Sequence, residues 1–193
     1  MIFACFTEGA FVIPIKTIIF VKNAIMELIE NANTDLTYAD EYENIAEVEI
    51  EKNMASKNHA RLQSRLATVL NNSYDKDFEV FTEFELELVG KRVIPDLSIF
   101  PIEIPDWDND VIRGKDIPIL AIEILSPKQA FDEIVTKIRE IYFPAGVRSS
   151  WMILPKTRMV MVFTPDGNVN TYKKEYVKDL ASGFHVDFGE IFK

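Results

Sequence analysis

The sequence predicts an α/β fold in which a mixed central sheet is flanked by helices, with elements running helix, three strands, helix, strands. Three observations carry that prediction. Apolar residues recur at helical spacing in one stretch, alternate with acids in the next, and form an almost unbroken run in a third.

The first stretch, SKNHARLQSRLATVLN from Ser56 to Asn71, sets Leu62, Leu66, Val69 and Leu70 on one helix face, with Ser56 as the N-cap. Beyond Asn72 the period becomes two. Val80, Thr82, Phe84, Leu86 and Leu88 fall on one face of a strand, and Glu83, Glu85 and Glu87 on the other. Gly90 and Lys91 turn the chain into a second strand, Val93 to Phe100, near enough to pair with the first as a hairpin. Pro101 to Asp116, with its Pro, Trp and charged residues, suits a surface loop. The run PILAIEIL, Pro118 to Leu125, reads as a strand buried on both faces. Ser126 and Pro127 then open a helix from about Gln129 to Phe143, which Pro144 and Gly146 end. WMILP and MVMVFTP follow as strands, joined onward by a hairpin turn over 165–168, Pro-Asp-Gly-Asn.

With 193 residues, 48% hydrophobic and 27% charged, the chain suits one domain over 26–193, preceded by an extension, 1–25, for which Met26 offers an alternative start. The opening residues are apolar, but Glu8, Pro14 and Lys16 interrupt them and no basic start precedes them. That pattern suits neither a membrane span nor a secretory leader. A lone cysteine, Cys5, excludes a disulfide within the chain and a cysteine-rich zinc site, and points to the cytoplasm. The net charge of −10 argues against nonspecific duplex binding, which depends on bases neutralising phosphates. Charge is uneven, with nine acids and no bases from Glu27 to Glu51 but six bases and three acids from Lys128 to Arg158. The later segment is either a solvated face or one turned toward a polyanion.

Two acids stand in strands otherwise written for burial, Asp96 and Glu123. A buried carboxylate needs a cation, a hydrogen-bond network or a shifted pKa, and the simplest partner common to both is a divalent metal. Magnesium takes one or two carboxylates with water and substrate phosphate, which adjacent strands can supply. Pro95 cannot donate to a strand ladder, so it marks an edge or a bulge that re-aims the next side chain, that of Asp96.

The segments IPDLSIF and AIEILSPKQAFDEIVTKIREIYFPAGVRSSWMILP resemble the restriction endonuclease domain family called Uma-two, a branch of the PD-(D/E)XK nuclease superfamily, over about Ala46 to Phe163. The resemblance implies a restriction-endonuclease-like core of helix, three strands, helix and strand. It also implies that Asp96 and Glu123 hold magnesium, manganese being the alternative, while a lysine assists the attacking water. The chain departs from the superfamily two residues after the glutamate, where Leu125 replaces the usual lysine, and the family places its lysine in the following helix. That points to Lys137, which lies beside the apolar side formed by Phe131, Ile134, Ile138 and Ile141 and is positioned to reach over the sheet toward Glu123. Lys128 and Arg139 are substitutes. Glu83 is expected as a third ligand or a water-orienting acid, or else as a solvated neighbour of Glu85 and Glu87. His59 resembles a histidine of the family, and by position alone is a helix-start residue bonded to backbone. Trp151, Tyr142 and Phe143 read as core or dimer-interface aromatics.

The function these readings converge on is a metal-dependent phosphodiesterase, an endonuclease acting on DNA as a homodimer, since two sites cut two strands. The missing in-strand lysine and the net charge leave two alternatives: a non-cleaving binding or scaffold protein on the nuclease fold, and a hydrolase of RNA or small phosphoesters.

Overall fold

The structure, a computed structural model, describes residues 55–193, within the second of the two units into which the chain divides, Lys52–Lys193. The extension expected over 1–25, the alternative start at Met26 and the acidic run ending at Glu51 lie outside the described residues.

Helix α1 (Lys57–Tyr74) starts where the sequence places it, with the Ser56 side chain accepting from the His59 N–H. Its Leu62, Leu66 and Leu70 are buried on one face of a six-stranded sheet. That sheet is built from β1 (Phe78–Thr82), β4 (Leu97–Pro101), β6 (Leu120–Ile124), β7 (Ser149–Leu154), β8 (Met159–Phe163) and β9 (Val169–Tyr172), in that spatial order. All its pairs are antiparallel except the central pair β6/β7, so the sheet is mixed, as expected. Alternation divides each central strand between two cores. Leu120, Ile122 and Ile124 pack with α1, whereas Ala121 packs with Ile134, Ile138 and Tyr142 of the helical segment on the other face.

Two expectations need correction. The strand expected over 80–88 is two strands, because Glu83 takes a positive φ of 54° and redirects the chain after β1. Its second half, β2 (Glu85–Leu88), forms a separate three-stranded sheet with β3 (Lys91–Val93) and the short β5 (Arg113–Gly114). The partner strand breaks at the matching place, between Val93 and Leu97, so the expected hairpin exists as two registered pieces, Leu86 opposite Val93 and Thr82 opposite Leu97. Pro95 thus sits at a break beside an interior strand, not on an edge.

The second helix also differs. It begins at Phe131, with Asp132 and Glu133 in the first turn where the helix dipole favours acids, and α2 (Phe131–Lys137) runs into a π turn (Ile138–Tyr142) and a final turn, α3 (Phe143–Ala145). Pro144 therefore lies inside the last turn. The π turn, in which the Phe143 N–H reaches back to the Ile138 carbonyl, has already displaced the α-helical ladder that a proline would break. Gly146, at φ 105°, supplies the left-handed cap.

A hairpin of β10 (Tyr176–Lys178) and β11 (His185–Asp187), with the short α4 (Phe188–Phe192), closes the α1 side of the core. Its anchor is Asp179, 1% exposed, which accepts from Trp151 Nε1 at 2.8 Å, Ser182 Oγ at 2.5 Å and the Ser149 hydroxyl. Removing that acceptor leaves buried donors unsatisfied. Asp179→Ala is expected to lower unfolding free energy by about 2–4 kcal/mol, read from the urea midpoint.

Candidate active site

The register of β4 against β6 sets Leu97 opposite Ile122, so one further step brings Asp96 opposite Glu123. A hydrogen bond fixes that step, the Ile124 N–H donating to Asp96 Oδ2 at 2.5 Å. Because Asp96 stands at the strand break, its carboxyl is not fully enclosed, and its side chain keeps 18% exposure. Glu123, inside the wholly buried β6, is 3% exposed and points to the face covered by α2 and the π turn.

Two groups from that helical layer meet Glu123. Lys137 Nζ lies 3.1 Å from each of its carboxylate oxygens, and the Tyr142 hydroxyl donates to Oε1. Lys137 and Tyr142 are five residues apart, a separation that a regular α-helix would rotate by roughly 140°. The intervening π turn changes that rotation, and both side chains converge on one carboxylate. Burial pushes the Glu123 carboxyl up, Lys137 pulls it down and the facing Asp96 pushes it up again, leaving it above its ordinary value. Burial and the Glu123 charge hold the Tyr142 hydroxyl well above its ordinary value, so it stays a donor.

From the opposite helix, His59 Nε2 stands 3.0 Å from Asp96 Oδ1. His59 is thus more than a helix-start residue, and its side chain, 7% exposed, is held by a carboxylate. That hydrogen bond raises the His59 pKa above 6.5, outweighing burial, which lowers it. Gln63, one turn on, donates to the Asp96 carbonyl at 3.1 Å and to Glu83 Oε1 at 3.2 Å.

His59, Glu83, Asp96, Glu123, Gln129 and Lys137 line one cavity of about 630 Å³. Glu83 is exposed in it, while its expected companion Glu85 lies elsewhere, paired with Arg113. Among the described residues, no three His, Cys, Asp or Glu side chains converge closely enough to cage a metal. Asp96 and Glu123 give two facing carboxylates, a donor set that fits magnesium, which keeps water and phosphate ligands.

Of the alternative bases, Lys128 is exposed beyond the end of β6, and Arg139 lines a separate cavity of about 360 Å³ with Phe143 and Phe163. Trp151 is core, fully buried. Tyr142 is core as well, but its hydroxyl belongs to the site, which the sequence reading missed because a regular helix sets positions five apart on different faces.

The model of the Uma2 family, described as "Putative restriction endonuclease", matches residues 36–186. The chain belongs to this family. Among solved structures it resembles the crystal structure of a putative nuclease belonging to DUF820 from Anabaena variabilis, at 23% identity and a TM-score of 0.63, covering 72% of this chain and 82% of that one. The two share the fold. A chain of the DrdV–DNA complex aligns over 68% of this chain and 12% of its own, at 14% identity and a TM-score of 0.31, too low to bear on this Uma2 member. No curated protein matches. Among the described residues, no helix is long and apolar enough to cross a membrane.

The His59–Asp96 pair has a pH signature. A histidine whose folded pKa is raised contributes stability that is complete below its ordinary value of 6.5 and is lost as pH rises through the raised value. The urea midpoint is expected to fall between about pH 6 and about pH 8 by more in the wild type than in His59→Gln; equal falls would mean that the pair carries none of the dependence.

Proposed function

We propose that this Uma2 protein is a magnesium-dependent nuclease that hydrolyses phosphodiester bonds in DNA, with Asp96 and Glu123 as the metal ligands. The observation that carries the reading is the buried Glu123 carboxylate, set opposite Asp96 at the wall of an open cavity and held by Lys137 and Tyr142. Two like charges face each other there at the cost of desolvation, an arrangement that a fold retains where a cation and a phosphate are to be gathered. When bound, the metal polarises the phosphoryl group and lowers the pKa of the attacking water.

The protein's own groups have separable tasks. The Ile124 N–H and His59 aim the two Asp96 oxygens, and Tyr142 fixes the orientation of Glu123. Lys137 presents its ammonium to the cavity from the helix, the place left open by Leu125, and is suited to orient water and to stabilise charge on the phosphoryl oxygens. Glu83, exposed in the cavity and steadied by Gln63, fits a water-orienting acid better than a ligand enclosed with the other two. All of these groups belong to one chain, so one copy suffices to cut one strand.

Asp96→Ala and Glu123→Gln are each expected to abolish magnesium-dependent cleavage and to lose saturable magnesium binding in calorimetry. Lys137→Ala should slow cleavage by about a hundredfold, and Tyr142→Phe should weaken metal affinity by roughly tenfold or more. Unchanged cleavage by Asp96→Ala or Glu123→Gln sinks the assignment. A wild type that folds yet binds no metal marks a non-cleaving binding protein instead.

A further inference from the structure

The cavity of the site does not end at the carboxylates. On one side it shares Ile94 and Lys137 with a second cavity of about 400 Å³ whose wall includes Arg92. On the other it shares Ser126 and Gln129 with a third, also about 400 Å³, lined by Asn58 and Lys156. The three cavities therefore adjoin one another through shared walls in a row across the site, with an exposed cation at each end and acids between them.

Both cations suit phosphate contact. The Arg92 side chain is 71% exposed, and its nearest acid, Glu85 at 3.9 Å, is already engaged by Arg113. Lys156 is exposed in the turn between β7 and β8. The middle of the groove carries Glu83, Asp96, Glu123 and Glu133 against the single ammonium of Lys137, an acidic balance that favours a phosphate brought in with a cation. A duplex lays closely spaced phosphates of two strands across its contact surface, and over cavities with one exposed base at each end and acids between them most of those phosphates would meet no base. One flexible strand demands far less: a phosphate at each end, the scissile phosphate at the metal, and half-exposed Ile94 as an apolar wall for a base.

We propose that the groove is a subsite for a single nucleic-acid strand, with Arg92 and Lys156 gripping the phosphates that flank the scissile one. This rests on Asp96 and Glu123 forming the hydrolytic centre. The test is fluorescence anisotropy with a short fluorescein-labelled single-stranded DNA and its duplex, calcium replacing magnesium to hold cleavage off. The single strand is expected to bind more tightly than the duplex. Arg92→Ala and Lys156→Ala should each weaken single-strand binding by about tenfold. Each should also flatten the plot of log affinity against log salt by about 0.7, one phosphate contact. Arg148→Ala, just before the other end of β7, should change neither. Tighter duplex binding, or slopes unchanged in both groove variants, overturns the groove proposal. If magnesium-dependent cleavage that needs Asp96 persists in that case, the hydrolytic reading stands alone; if neither DNA is bound or cut, both fall.

Discussion

A carboxylate buried in the centre of a sheet is the constraint on which the rest of this structure turns. Glu123 occupies β6, whose five residues are all buried, and an isolated charge there would be prohibitively costly without partners. The surrounding elements are arranged to meet that demand: Lys137 and Tyr142 from the helical layer, and the strand break that lets Asp96 face it with partial exposure. A carboxylate so held is tied at once to the lysine and to the phenol. The burial that raises its pKa also strengthens any cation bound beside it.

The break in the hairpin has a second effect. Had β1 and β2 continued as one strand paired to one partner, Asp96 would have been a ladder residue with its carboxyl closed in by neighbours. Instead the positive φ at Glu83 sends β2 and β3 into their own sheet, and the Glu83 N–H donates to the Asp96 carbonyl at 3.3 Å across the gap. Open volume lies where the two sheets part. The site thus uses the residue least suited to a regular strand, Pro95, to end pairing one position before its acid.

Most of the core was legible from periodicity. The α1 face, the apolar β6 and the turn at 165–168 follow from spacing and turn chemistry, because each depends on local pattern. Asp96 and Glu123 stood out as acids in apolar strands, while Lys137 was singled out by the family resemblance and its place beside an apolar stripe. The split of 80–88 was invisible because both halves keep the same period, and only the backbone at Glu83 reveals the redirection. Likewise, no local signal announced the π turn. Its effect, bringing residues five apart to one acceptor, is a tertiary fact that a regular helical wheel misplaces. Gln63 and Tyr142 were missed for the same reason, since both act through partners distant in sequence.

The helical placement of the lysine changes what the site depends on. A lysine at position 125 would share the face of Glu123 by strand alternation, yet β6 ends at Ile124 and Leu125 packs into the apolar cluster instead. The ammonium comes from another layer, so its position is set by how α2 and the π turn seat on the sheet through Ile134 and Ile138, both fully buried. An in-strand lysine is fixed to its glutamate by backbone geometry alone, whereas this one is fixed by core packing. Small shifts of the helix, of the kind caused by changing the volume of a core side chain, therefore act directly on the distance between Nζ and the carboxylate. In this arrangement the hydrophobic core beneath the helix sets the geometry of the Lys137–Glu123 pair, not merely the stability of the fold.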